Sequence, residues 1–438
     1  MKKHREQQRA ALQGSMKAVS SIEAKGEPKI GVEEFMAVCA RFGLSKTALR
    51  KIRQAAQAED WGEGPFLANY YSGLDESCVQ AFERTARDVF GAKYAIGVSS
   101  GTAALHAAFV AAGVKAGTEV TCPAIGFFAT ANAADLAAGK PVFCDVDQSL
   151  HMDPSKIEAL ITPRTVALAP TCVMGGVYDA KAIMRIARKH KLKVVEDCAQ
   201  SCGAAFKGKR LGTYGDLGCF SISAYKIAGG GEGGLVLART KRLWERASQL
   251  AESGGLWRPD RFAPPRYKGE LFTGANYRMS ELEAAIDTVQ LRKLDQTLRR
   301  FRRVNHRILK RLKRFKEIAP QQLHDPEGHL GYLLRFYPET IALGERIVNG
   351  LQAQHIPAGM RGKKAPPDWH IYHTMYPLTE KHGYSRGLCP IADDLYDRVI
   401  SIGLNQWYTP ADCKELADRI NHVLAAHCTE DAQAPGWL

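Results

Sequence analysis

Residues 94–123 read YAIGVSSGTAALHAAFVAAGVKAGTEVTCP, and this stretch decides the fold. YAIGV is a short apolar run suited to a strand. SGTAALHAAFVAAG is an apolar helix opened by small residues, and EVTCP is a second strand. The alternation continues outward. FFATANAADLAAG (127–139) reads as a helix, PVFCDVD (141–147) as a strand and DPSKIEALI (153–161) as a helix. TVALAPT (165–171), AKAIMRIARKHKL (180–192) and KVVEDCA (193–199) follow as strand, helix and strand. The apolar runs lack strict alternation, as expected for strands covered on both faces. Strand-helix-strand repetition of this kind predicts an α/β fold on a parallel, doubly wound sheet. GLVLART (234–240) adds a further strand, and helices follow to about residue 317. The remainder, with Pro320, Pro338, Pro357, Pro366 and Pro367, predicts a smaller α+β domain.

A chain of 438 residues is too long for one ordinary core. The expected division is a basic helical extension over 1–60, a large α/β domain over 61–310 and a small α+β domain over 311–438. Apolar residues at 45% exclude a mostly disordered chain, and no apolar run is long enough to span a membrane. The N-terminus MKKHREQQRAALQGS lacks the apolar stretch of a secretory signal, so a cytoplasmic protein is expected. Eleven scattered cysteines with no CxxC pair argue against a disulfide framework or a zinc ribbon, and no metal is called for. The net charge of +14 admits an anionic small substrate, an anionic cofactor or nucleic acid. Much of it lies in LRKLDQTLRRFRRVNHRILKRLKRFKE (291–317), where Leu291, Leu294, Leu298, Phe301, Ile308, Leu312 and Phe315 form one stripe. That pattern predicts a long amphipathic helix with a basic outer face. Earlier, VEEFMAVCARFGLSKTALRKIRQAAQ breaks at Gly43, with Ser45 placed to cap a second helix. The outline suits a DNA-binding helix-turn-helix and equally any αα-hairpin.

In a doubly wound sheet, ligands sit beyond the carboxyl ends of the strands. The first strand ends in SSGTAAL, where helix N–H groups and the Thr102 hydroxyl suit a phosphate; a plain N-capped helix is the alternative. No GxGxxG lies at this turn, and GGGEGG (229–234) contains no GK[ST]. A dinucleotide site and a P-loop are both disfavoured, which leaves a smaller phosphorylated cofactor. KVVEDCAQ places Glu196 and Asp197 at the end of an apolar strand. A carboxylate there suits a cationic partner such as a protonated pyridine nitrogen, or a helix cap or an arginine. In GDLGCFSISAYKIAGGGEGG, Lys226 stands between an apolar strand and a glycine run. A lysine held there, partly desolvated near an anionic cofactor, could form a Schiff base with an aldehyde; a packed stem with a solvated head is the alternative. Ser221 lies five residues earlier and could reach the same phosphate as Thr102.

Together SSGTAAL, PxxxFFATANAA, VVEDCAQ, GDLGCFSISAYK with GEGG, and GANYRMSELEAAI resemble the DegT–StrS family of sugar aminotransferases, colinearly from about Gly73 to about Ile420. The resemblance implies a pyridoxal 5′-phosphate enzyme of fold type I, the aspartate-aminotransferase fold. It implies a three-layer sandwich with a mostly parallel central sheet and a smaller C-terminal domain. By the same resemblance Lys226 is the Schiff-base lysine and Asp197 holds the pyridine nitrogen. Thr102, Ala103 and Ser221 bind the phosphate, Phe127 lies against the ring and Gln200 meets the pyridine oxygen. Arg278 comes from the partner subunit of a homodimer. The expected reaction moves an amino group from glutamate or glutamine to a keto-sugar, nucleotide-linked in many family members. A keto-cyclitol, a carboxylated keto-sugar or a DNA-associated regulator are the alternatives. WRPDRFAPPRYKGELF, with Arg258, Arg261, Arg266 and Lys268, could meet a pyrophosphate or be an exposed loop with incidental charge. Two positions depart from the family pattern. Cys172 stands where histidine is usual, and Ser223 where histidine or a similar polar residue is frequent. Both changes are expected to touch the substrate side.

Overall fold

A computed structural model describes residues 30–61, 67, 77–254, 272–362 and 368–437. The basic leader and Arg258, Arg261, Arg266 and Lys268 lie outside the described residues. The chain divides into two compact units, residues 1–72 and 73–438.

The first unit contains α1 (Val32–Cys39), a 3-10 turn (Ala40–Phe42) and α2 (Lys46–Gln57). The break falls where the sequence places it. Gly43 takes the left-handed conformation at φ 69°, and the Ser45 hydroxyl accepts from the Ala48 N–H. Phe35 packs on Trp61 at 5.6 Å, and Arg53 pairs with Glu33. The result is an αα-hairpin.

The second unit opens with α3 (Cys78–Phe90), β1 (Tyr94–Val98), α4 (Gly101–Ala111), β2 (Glu119–Pro123), α5 (Ala129–Leu136) and β3 (Lys140–Cys144). Next come α6 (Pro154–Ile157), β4 (Thr165–Leu168), α7 (Ala180–Lys189), β5 (Lys193–Asp197) and the short hairpin β6 (Ala205–Phe206) and β7 (Lys209–Arg210). β8 (Leu217–Ser221), β9 (Gly234–Ala238), α8 (Lys241–Ala251) and α9 (Glu281–Leu309) complete this part. Seven strands form one sheet in the order β1-β9-β8-β5-β4-β2-β3. The pairs from β8 through β5, β4 and β2 to β3 are parallel. β9 is the exception, antiparallel to both β1 and β8. No crossover helix separates it from β8, so the chain turns straight back. The strands are buried on both faces, as their unalternating sequences require: β2 and β9 have no exposed position.

A second, antiparallel sheet has the order β10-β11-β13-β12, from β10 (Ile318–Pro320), β11 (Leu333–Pro338), β12 (Ala358–Met360) and β13 (Ile400–Gly403). Helices α10 (Ile341–Ala353), α11 (Tyr376–His382), α12 (Pro390–Arg398) and α13 (Pro410–His427) accompany it. Its core joins Phe336, Ile347, Ile402 and Ile420. α9 serves both regions. Leu291, Leu294 and Leu298 enter the core of the large sheet, and Val304 and Ile308 that of the small one. The helix ends at Leu309, short of the residue 317 that its stripe predicts. Leu312 and Phe315 stay buried in the turn that follows. Burial there comes from the small sheet rather than from a helical face.

Candidate active site

The carboxyl end of β5 carries Glu196 and Asp197, both buried, and their surroundings separate them. Glu196 is closed off. It accepts from the Tyr178 hydroxyl at 2.7 Å and from the N–H groups of Gly212 and Gly215 at 2.8 and 2.5 Å. It therefore staples the turn before β8. Asp197 accepts from the Thr130 hydroxyl at 2.5 Å and from the Ala199 N–H at 3.0 Å. Burial raises the pKa of its carboxyl, and the charge of Lys226 opposes that rise. A carboxylate has about four acceptor positions, so Asp197 keeps capacity for a further donor.

Lys226 sits in the connection between β8 and β9. Its N–H donates to Ser223 O at 2.9 Å, and its carbonyl accepts from Gly229 N–H at 3.0 Å. Ala224 N–H to Gly231 O and Ile222 N–H to Gly233 O then draw the glycine run back over the turn. This path needs glycine. A Cβ at Gly229 would lie 2.0 Å from the Ser223 carbonyl oxygen, and one at Gly234 2.2 Å from that of Ser100. Burial lowers the pKa of the Lys226 amine, and Asp197 acts in the opposite sense. The amine faces a cleft of about 520 Å3 that Gln200, Tyr225, Tyr332, His370 and Gln406 also line.

Across the sheet, α4 begins immediately after β1. Ser100 caps it by accepting from Ala103 N–H at 3.1 Å, and the Ser100 carbonyl accepts from Ala104 N–H. The N–H groups of Gly101 and Thr102 remain as first-turn donors without intrahelical partners. A Cβ on Gly101 would stand 2.7 Å from the Ser221 Cβ, so this helix start and the end of β8 converge closely. Thr102 and Ser221 are half-buried there, and Ala103 is buried. Phe127, 43% exposed, lies in the loop after β2, its ring 5.3 Å from that of His370. Gly126 and Phe128 donate from this loop to His370 O and Trp369 O. Gln200 accepts from Met174 N–H at 2.7 Å. Arg278 is half-buried, its backbone bridged to Val98 at the end of β1.

The structure corrects one expectation. Cys172 is fully buried with its sulfur 3.7 Å from that of Cys198, so this departure from the family pattern does not line the cleft. Some contributors have no role predicted from the sequence. Thr130, within FFATANAA, reaches Asp197 from a helix 67 residues earlier, and Tyr332 and His370 come from the C-terminal third. Glu283 and Asp287 of α9 lie beneath the glycine run. Cβ atoms at Gly231 and Gly230 would meet their oxygens at 2.7 and 2.2 Å. Asp287 is fully buried, and neither of its oxygens has a hydrogen-bond partner among the described residues. Burial and the charge of Glu283 push its carboxyl up to about 8. The i, i+4 spacing of the two acids was the available signal.

A model of the DegT/DnrJ/EryC1/StrS aminotransferase family matches residues 72–421. GDP-perosamine synthase of Caulobacter vibrioides is 34% identical over 297 residues, 68% of this chain and 77% of that enzyme. L-glutamine:2-deoxy-scyllo-inosose aminotransferase of Streptomyces fradiae is 38% identical over 257 residues, 57% of this chain and 60% of that enzyme. Among solved structures, an aminotransferase from Psychrobacter cryohalolentis superposes with a TM-score of 0.71 at 23% identity, covering 88% of this chain and 98% of that one. At that identity the superposition speaks for the fold.

Proposed function

The chain belongs to the DegT/DnrJ/EryC1/StrS aminotransferase family, and we propose that it transfers an amino group from an amino acid to the carbonyl of a keto-sugar or keto-cyclitol, using pyridoxal 5′-phosphate. One observation carries the reading: a half-buried amine at Lys226 within electrostatic reach of the buried Asp197 carboxylate, at the carboxyl ends of adjacent strands.

The residues fit the cofactor. Asp197 has acceptor capacity left for a ring N–H. The first-turn donors of α4, opposite Ser221, suit a phosphate. Gln200 lines the same cleft as Lys226. When bound, pyridoxal 5′-phosphate supplies an electron sink for the carbon that loses its proton. Asp197 would hold a proton on the ring nitrogen, with Thr130 fixing the carboxylate for that contact. Thr102, Ala103 and Ser221 would hold the phosphate, and Phe127 would contact the ring. Lys226 Nζ takes the α-proton of the amino donor and later returns a proton to the acceptor carbon that gains the amine. Its lowered pKa raises the fraction of neutral amine, the form able to accept a proton. Glutamine or glutamate as donor is supported by the similarity to the L-glutamine:2-deoxy-scyllo-inosose aminotransferase. A nucleotide-linked sugar as acceptor is supported by GDP-perosamine synthase, and a cyclitol by the same L-glutamine-dependent relative. In this reading the enzyme is a homodimer in which Arg278 completes the neighbouring site.

Borohydride reduction of the cofactor-loaded protein, followed by digestion, should leave a pyridoxyl mass on the peptide containing Lys226. A label on another peptide, or none, overturns the assignment. Stoichiometric release of the keto acid from glutamate or glutamine without an acceptor tests the donor half of the reaction.

A further inference from the structure

A cavity of about 720 Å3 opens between the last turns of α9, the chain after β10 and the C-terminal residues. It is of the size that takes small organic ligands. Its walls are apolar where Leu309, Pro320 and Trp437 meet. Trp437 is held in place. Its indole N–H donates to Lys313 O at 2.8 Å, and its ring packs on Phe336 at 5.5 Å.

Cations gather on the opposite wall. Arg302 is oriented by two backbone carbonyls, donating from Nε to His329 O at 2.8 Å and from Nη2 to Gly328 O at 3.0 Å. Burial lowers its pKa, and so does the neighbouring Arg210, while the charges of Glu327, Asp325 and Asp295 act in the opposite sense. Neither Arg302 nor Arg303 has a carboxylate within ion-pair distance among the described residues. Glu327 is the one carboxylate in the lining. The His329 ring is pushed down to about 4 by burial and by Arg302. A partly buried guanidinium fixed by backbone carbonyls rather than by a direct ion pair, with Arg303, His329 and Trp437 in the same lining, can receive a negative charge beside a flat ring. A smaller cavity of about 40 Å3 shares His329 and Trp437 with this one, and Met174 and Leu333 with the Lys226 cleft. The two larger spaces are therefore neighbours with separate linings.

We propose that this cavity binds a small anion that joins an aromatic ring to a phosphate or a carboxylate group, directly or through a sugar, independently of Lys226. Titration calorimetry of the full-length, cofactor-loaded protein would use AMP, GMP and UMP as phosphate probes and 4-hydroxybenzoate as the carboxylate probe. Saturable binding of at least one probe is expected. Arg303→Glu should weaken it at least tenfold, and Lys226→Ala should leave it unchanged. Arg303 is exposed, so its replacement leaves the fold intact. Which arm binds identifies the anionic group. Absence of binding by every probe at millimolar concentration overturns the proposal. So does binding that Arg303→Glu leaves within tenfold, or that Lys226→Ala removes.

Discussion

Asp197 and Glu196 are adjacent acids on one strand, and their hydrogen bonds give them different work. Glu196 is saturated by Tyr178, Gly212 and Gly215, whereas Asp197 is held by Thr130 and Ala199 with capacity to spare. Asp197→Asn removes the charge that would hold a ring proton, and turnover should fall by about 10²-fold or more in steady-state kinetics. Thr130→Val deletes a buried donor to that carboxylate. It should cost about 1–3 kcal/mol in urea unfolding and reduce turnover less than Asp197→Asn does. Asp287 gives a pH signature. It keeps a proton in the folded chain up to about 8, but in the unfolded chain only to about 4. The folded state thus binds the extra proton across that window, so stability falls as pH rises from about 4 to about 8 and levels off beyond. Asp287→Asn should remove this dependence, stabilising the protein most at pH 9, less at pH 6 and least near pH 4. Equal midpoints for the two proteins at pH 9 would refute this account of Asp287.

Among the elements, the connection between β8 and β9 determines where the Lys226 amine stands. A methyl at Gly229 would overlap the Ser223 carbonyl, the acceptor of the Lys226 N–H. Gly229→Ala should therefore cut turnover at least tenfold and lower stability as well, read by parallel kinetics and denaturation. The elements around this turn are largely legible from sequence, because unalternating apolar strands and small-residue helix starts have strong local signatures. YAIGV, EVTCP and KVVED form strands at those residues. The backward run of β9 is not legible, since strand direction depends on pairing partners and not on composition. The end of α9 is misread for a related reason. Leu312 and Phe315 continue the helical spacing, yet their burial is supplied by the small sheet. In the site, Asp197, Lys226 and the α4 start lie in local motifs. Thr130 stands in FFATANAA but its contact with Asp197 depends on tertiary packing, and Tyr332 and His370 are brought in by that packing with no local motif.

On the scale of the molecule, α9 belongs to two cores. Ile308→Ala should destabilise the small-sheet core by about 2–5 kcal/mol, which urea unfolding would record. No helix among the described residues is long and apolar enough to cross a membrane. The burial pattern along α9 has a mechanical consequence. Between Leu298 and Val304, anchored in different cores, no side chain is fully buried. That turn is held from its surface instead, by Arg302 donating to His329 O and Gly328 O and by Arg300 lying 4.2 Å over the Trp407 ring. Phe301 of that turn faces the cleft, and Arg302 and Arg303 face the C-terminal cavity. A single rigid rod would then transmit strain from either pocket to the other.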